Sequence, residues 1–498
     1  MPHNDKKARN TMRETIPGTR LQPIRTKPFA QHFPVLLMLC TIATLCPAAD
    51  TTGHDWPQFG WDVASSSASP DPTGITAANI SSLVRHQVTL NGTVDASAIY
   101  LHDVTIKGSQ HNAFFVTTLF GRTIAVDADK AAVLWEYTPP QYSTWEGTRQ
   151  ITNSTPVADP DRQHVYAAAP DGAVRKLAIA DGHEVWSSPI TLLPAREKIA
   201  SPLKVFRGHV IAVTAGYIGD RPPYQGHVAI LDVKDGKLLH VWNSLCSDRS
   251  VLLQPDSCAA TQSAIWGRAG AVIDPATGNI FIATGNGPWD GKTSWADALI
   301  ELDPDATKML GNYTPSNNAE LRARDLDIGS ASPALLGNGY LAQGGKDRLI
   351  RVIDTKAIAG ADAHQNDDPP SVSTPSGSML LPATAVWHHN ADTWLFSADA
   401  GGTAAWTFKD GKLTPGWKNT NGGTSPVVAG GLLYIYDARG ALRVYDAEKG
   451  QLAATLECGP GHWNSPIVVD GKIALPEGGS RGQVPATNVL DIWTLPAK

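Results

Sequence analysis

The sequence predicts an all-β protein, an eight-bladed β-propeller built from four-stranded antiparallel blades, with the ring closed by an N-terminal strand. Three observations predict it. The 498 residues include 45 Gly, 36 Pro and 15 Trp against 5 Met, a composition that favours short strands and tight turns over long helices. Two half-patterns recur along the chain at the spacing of propeller blades, roughly 40–50 residues. Finally, the last repeat ends one strand short, while an unmatched strand precedes the first.

The first half-pattern is Ser or Thr, then Pro, then an apolar strand; it begins at Ser154, Ser201, Ser332, Ser425 and Ser465. Proline at the first residue of a strand sacrifices no ladder hydrogen bond. The second is an apolar strand, an Asp, a turn and a further strand. It ends at Trp135, Trp186, Trp242 and Trp417, recurs without Trp from Val444, and has weaker copies from Ile300 and Ile350. Its Asp-Gly and Lys-Gly turns join the last two strands as a hairpin. Seven such units lie between residues 127 and 455, and an eighth starts at Ser465 and lacks its outer strand. Residues 81–90, "SSLVRHQVTL", supply that strand and staple the end of the ring to its beginning. A seven-bladed ring is the alternative.

The formal net charge is −6 and no basic stripe is present, which argues against nucleic acid as a partner. Residues 1–49 read as a signal peptide with a long basic leader: seven Lys and Arg precede an apolar run at 35–45, and Ala48 and Ala49 follow. That run is shorter than the roughly 20 residues a membrane span needs, although a retained anchor stays open. Residues 50–498 then form one propeller domain, expected to be periplasmic or secreted. Removal of the leader would leave Cys246, Cys258 and Cys458; in an oxidising compartment the first two are placed to pair across a short loop, with Cys458 odd. The Asp-, Pro- and Ser-rich stretch 358–380 reads as a mobile surface insertion between blades.

The segments "AVDADKAAVLW" and "AILDVKDGKLLHVW" resemble the tryptophan-docking repeat of the pyrroloquinoline quinone (PQQ) propellers, which implies that Trp135, Trp186, Trp242 and Trp417 pack blade against blade. Residues 265–354 are similar to the central blades of the quinoprotein alcohol dehydrogenases: a Trp before an Asp-Pro strand, "TGNGPW", an Asp-x-Asp before Ser-Pro, and "GGKDR". The resemblance implies roles. Asn286 would coordinate Ca²⁺ beside the quinone, with Asp325, Asp327 and Asp220 as further oxygen ligands, the donor type a hard cation takes. Asp325 would be the general base, Lys346 would contact the quinone oxygens and Trp266 would be the floor on which the quinone stacks.

The chain also departs from that pattern. Where the family has a metal-ligand Glu, "AGYIGDRPPYQ" offers only Asp220, and the spacing from Trp266 to Asp274 is two residues longer than in the dehydrogenases. No two cysteines are adjacent and no Cys-x-x-Cys-His haem attachment occurs. For Asn286 a plain Asn-Gly hairpin turn stays open. His388, His389 and His462 match no metal spacing, although all adjoin inner-strand segments. The function implied is a periplasmic quinoprotein dehydrogenase-like propeller that oxidises an alcohol or polyol, small or polymeric, with PQQ and Ca²⁺, and passes electrons to a separate acceptor. The alternative is a non-catalytic propeller that binds a protein partner, as the outer-membrane assembly propellers do.

Overall fold

The computed structural model describes residues 54–365, 368–479 and 487–496, so the leader and the predicted signal peptide lie outside the described residues. Eight four-stranded antiparallel sheets follow one another as blades. Their innermost strands are Ile99–Ile106, Val157–Ala158, Lys204–Phe206, Val272–Ile273, Ala334–Gly337, Ala385–His389, Val427–Ala429 and Ile467–Val469 for blades 1 to 8. Among the described residues no helix is long and apolar enough to cross a membrane.

Blade 8 takes its outer strand from the N-terminal side, as the sequence predicts. Val84–Thr89 runs antiparallel to Val489–Thr494, with Val84 opposite Thr494 and Thr89 opposite Val489. Arg85 locks the closure by donating to both oxygens of Asp491, at 2.8 and 2.7 Å, and to Glu477 at 2.9 Å.

The repeat residues act as the pattern implies. The Asp closing the third strand accepts amide hydrogens of the following turn: Asp127 from Asp129 and Lys130, Asp232 from Lys234, Asp446 from Lys449. Each docking Trp reaches into the next blade. The indoles of Trp135, Trp186 and Trp417 donate to the carbonyls of Ile179, Val233 and Ala447 at 2.8, 3.2 and 2.9 Å. Trp242 is buried among the apolar residues shared by blades 3 and 4. The turn glycine beneath a docked ring has no substitute: Gly450 has φ +67°, and a Cβ there would lie 2.4 Å from the Trp417 ring.

One element escapes the repeat analysis. The segment ahead of the first blade crosses the axis and bonds to seven blades in turn. Trp56 exchanges hydrogen bonds with Tyr100, and the carbonyls of Pro57, Val63, Ser66, Ser67 and Thr73 accept from Ala158, Ile273, Val386, Val428 and Gly471. Blade 3 contributes the ammonium of fully buried Lys204, which donates to Phe59 O, Asp62 O and Ser65 Oγ at 3.1, 3.3 and 2.6 Å.

Two expectations about loops are resolved. Cys246 and Cys258 form a disulfide and Cys458 is free. The stretch 358–380 is not simply an insertion between blades: it contains Ser371–Ser373, the outer strand of blade 5, and it buries Ile358 and Leu380. Its polar composition concealed a three-residue strand exposed at the rim.

Candidate functional site

The segments leading into the inner strands converge on a cavity of about 430 Å³, a volume within the usual range for small-molecule sites. Asp220, Trp266, Asn286, Asp325, Asp327 and Lys346 all line it. They meet there because they precede or link strands of three successive blades, 3, 4 and 5.

Asn286 is held by a rigid surround. Gly285 N donates to Ala264 O at 2.7 Å, Ser263 N to Asn286 O at 2.8 Å, and Asp297 N to Gly285 O at 3.1 Å. Neither Asn286 nor Gly287 has a positive φ, so the chain does not form the tight Asn-Gly hairpin, which needs both. The turn alternative therefore falls. Asn286 Oδ1 is buried without a hydrogen-bond partner. A side chain at Gly285 would crowd the site, since a Cβ would lie 3.1 Å from Trp266 Nε1 and 3.2 Å from Asp327 Oδ2.

The acidic wall comes from the lead-in to blade 5. Helix Asn318–Arg324 ends in Asp325, whose left-handed φ of +54° turns the chain toward the axis. Two residues on, Asp327 is only 1 % exposed. Lys346 Nζ lies 2.8 Å from Asp325 Oδ1 and 2.6 Å from Asp327 Oδ1. The Trp266 indole donates to Asp327 Oδ2 at 3.2 Å, and Lys346 Nζ sits 5.3 Å from the Trp266 ring centre. Burial pushes the Asp327 pKa up against the pull of Lys346. For Lys346 burial works against the charge, but Asp327 and Asp325 outweigh it and hold the ammonium pKa above the usual lysine value. Asp220, in the same cavity lining, has its Oδ1 accepting from Tyr224 at 3.0 Å.

Sequence reasoning missed two parts of the site. Asp297, directly before the third strand of blade 4, is 1 % exposed, and its Oδ1 has no partner. Burial, then Asp327, push its pKa up to about 8. The other part is a pair of buried cations. Arg268, 2 % exposed, donates from Nη1 to Ala200 O at 3.3 Å, lies over Trp463 at 5.4 Å, and leaves Nε and Nη2 without partners. Lys198 donates to Asn153, which donates to Asp95 at 2.8 Å. His462 meets Asp95 at 3.0 Å, and Trp463 N donates to it at 2.8 Å. Burial pulls Arg268 down to about 10 and Lys198 down to about 8.

The lengthened spacing after Trp266 was the available signal for Arg268. Trp266 keeps its place in the cavity wall, and the longer lead-in carries Arg268 into it as well. His462 lines the cavity, while His388 and His389 do not. The only cluster of His and acidic residues close enough to chelate a metal among the described residues is Asp159, Asp161 and His164, away from this cavity.

Comparison with known proteins agrees with this architecture. The family model for outer membrane protein assembly factor BamB matches residues 87–250, which span blades 1 to 3 and stop short of Asn286, Asp325 and Lys346. No curated protein matches the chain. Among solved structures, the quinohemoprotein alcohol dehydrogenase of Comamonas testosteroni is similar at TM-score 0.66 and 16 % identity, covering 89 % of this chain and 81 % of that one. A europium-containing methanol dehydrogenase is similar at TM-score 0.62 and 15 % identity, covering 86 % and 90 %. BamB from Moraxella catarrhalis is similar at TM-score 0.54 and 14 % identity, covering 83 % and 99 %. By fold, the chain is an eight-bladed propeller of the PQQ type, similar to the quinoprotein alcohol dehydrogenases.

Proposed function

We propose that the protein is a quinoprotein dehydrogenase-like propeller that oxidises an alcohol or polyol, using PQQ and a hard cation such as Ca²⁺, after export to the periplasm or beyond. The observation that carries this reading is the bipolar cavity. Its lining offers carboxylates and an orphaned amide oxygen together with two buried cations, Arg268 and Lys198, that share the counter-charge of Asp95, and the flat indole of Trp266.

That donor set fits the groups invoked. Asn286 Oδ1 is buried without a partner, a state that costs about 1–3 kcal/mol unless a ligand completes it. Asp327 and Asp325 supply further oxygens of the kind Ca²⁺ takes. Arg268 and Lys198 suit the carboxylates of an acidic quinone. When bound, the quinone supplies a two-electron acceptor.

The side chains would do the rest. Asp325, at the accessible edge of the cavity, takes the hydroxyl proton of the substrate as general base. Lys346 holds Asp325 and Asp327 in position through its two short ion pairs. Trp266, fixed by its hydrogen bond to Asp327, provides the surface for stacking. Asp220, also in the cavity lining, accepts from Tyr224 and leaves its second oxygen as the remaining candidate for the position of the expected Glu.

The test is to add PQQ and Ca²⁺ to the purified protein and follow quinone binding and dye reduction with a panel of alcohols. Binding at micromolar quinone with alcohol-dependent turnover is expected; no binding would remove the reading. Asp325→Asn should abolish turnover while leaving quinone binding within a few-fold, and loss of both would contradict its role as base. A scaffold role is the second reading, favoured by the family-model match over blades 1 to 3. It predicts a folded protein that binds no quinone and captures a protein partner instead.

A further inference from the structure

One buried acid beside the expected ligands Asn286 and Asp327, namely Asp297, is not anticipated by the sequence pattern. Asn286 follows Gly285 in the chain, Asp297 donates its amide to the Gly285 carbonyl, and Asp327 packs against the face where a Gly285 side chain would stand. The Thr284–Gly285 backbone is also the floor for the turn after Asp327, since a Cβ on Gly329 would lie 2.3 Å from Thr284. The arrangement is therefore tight.

Two of these oxygens lack protein partners, Asn286 Oδ1 and Asp297 Oδ1. An acid buried to 1 % exposure with nothing to receive is costly to keep, and proteins retain such groups when a cation or a proton completes them. The charges about Gly285 do not balance. Asp297, Asp325 and Asp327 face two cations, Lys346, whose ammonium is already engaged by Asp325 and Asp327, and Arg322, which acts on Asp297 through space.

We propose that Asp297 is a ligand of a hard di- or trivalent cation, acting with Asn286 Oδ1 and Asp327. This rests on the quinoprotein reading for the function of the cation, but it concerns a residue of this chain that the family pattern does not contain. The shared donor chemistry is oxygen only, which suits Ca²⁺ or a lanthanide and disfavours softer transition metals.

The test uses the full chain, with and without PQQ, titrated with Ca²⁺ by calorimetry and with Tb³⁺ by tryptophan-sensitised luminescence. The parent should bind one cation in the cavity, and Asp297→Asn should weaken it at least tenfold while Asp159→Asn, in the separate acidic cluster, leaves it unchanged. Melting in chelator provides the folding control. Asp297→Asn should melt no lower than the parent, because a neutral isostere replaces a buried partnerless acid, and it should lose the gain on adding Ca²⁺ that the parent shows. If that variant does not fold, Asp297→Ser carries the same expectation of weakened binding. Equal cation affinity in parent and variant, with quinone still bound, overturns the role of Asp297 alone. A parent that binds quinone but no cation also overturns it, and a parent that binds neither removes the enzyme reading as well.

Discussion

Ring closure should depend on one guanidinium, and pH should modulate that dependence. Arg85 on the N-terminal strand is the cation for two buried acids, Asp491 with no exposed side-chain surface and Glu477 with 4 %. Replacing it by Met keeps the aliphatic stem beside Trp493, which the guanidinium overlies at 5.7 Å, and removes only the charge and its three hydrogen bonds. Stranding buried charge in this way costs about 3–5 kcal/mol. Burial and the neighbouring Asp491 already push Glu477 up to about 7. A carboxyl whose folded pKa is raised contributes stability that is fully present below its unfolded value near 4.5 and is lost as pH rises through about 7. Arg85→Met should raise that pKa further, so the variant should lose least at pH 5, where Glu477 carries its proton, and most at pH 8. Urea unfolding of parent and variant at the two pH values measures the difference, and proteolysis between residues 81 and 90 reports release of the closing strand. An equal loss at pH 5 and pH 8, or a loss below about 1 kcal/mol at pH 8, would refute the assignment of Arg85 as a buried counter-ion.

Two further predictions concern the frame around the cavity. Lys204→Met should free the axial segment, giving faster protease cleavage within residues 56–73; unchanged cleavage would mean that the backbone bonds alone suffice. Burial pulls the Lys204 ammonium down to about 7 from the usual 10.5. Its folded form therefore binds fewer protons than its unfolded form, and its contribution to stability should rise from pH 7 to 10 in the parent and vanish in the variant, which melting across that range checks. Reducing Cys246–Cys258, or replacing both residues by Ser, should cost about 2–3 kcal/mol for a loop of this length. Because the loop leads to Gln262 and Ala264 in the cavity wall, weaker quinone binding should accompany the loss; an unchanged melting temperature in reductant would refute the stabilising role.

The extent to which the sequence was legible follows from how each feature is encoded. Blades are periodic, so the Asp turns, the docking Trp residues and the odd closing strand repeat or fail to repeat in plain view. The axial segment from Trp56 to Thr73 makes its contacts through backbone carbonyls, which carry no sequence signature, and it went unseen. The outer strand Ser371–Ser373 was hidden by its own exposure, since a three-residue rim strand needs no apolar alternation. In the cavity, Trp266, Asn286, Asp325, Asp327 and Lys346 were reachable because they stand in one stretch and in a familiar order.

Lys198 and Asp297 were not reachable, and Arg268 only through the lengthened spacing after Trp266; the reason is physical. Each is a charged residue inside an apolar or loop segment whose meaning depends on residues distant in the chain that the fold brings beside it. Lys198 acquires significance from Asn153 and Asp95, and Arg268 from Trp463. Asp297 acquires it from Asp327 and Asn286. A buried charge costs several kcal/mol unless something completes it, so Lys198 and Arg268 in the cavity lining, with Asp297 behind Asp327, bear on what the cavity holds in a way that fold similarity does not. Likeness to a dehydrogenase and likeness to an assembly propeller are both satisfied by the ring. The proposed quinone and cation would answer to Arg268 and Lys198 on one side and to Asp327 and the orphaned Asn286 oxygen on the other, so the binding titrations, not the ring, decide between the two readings.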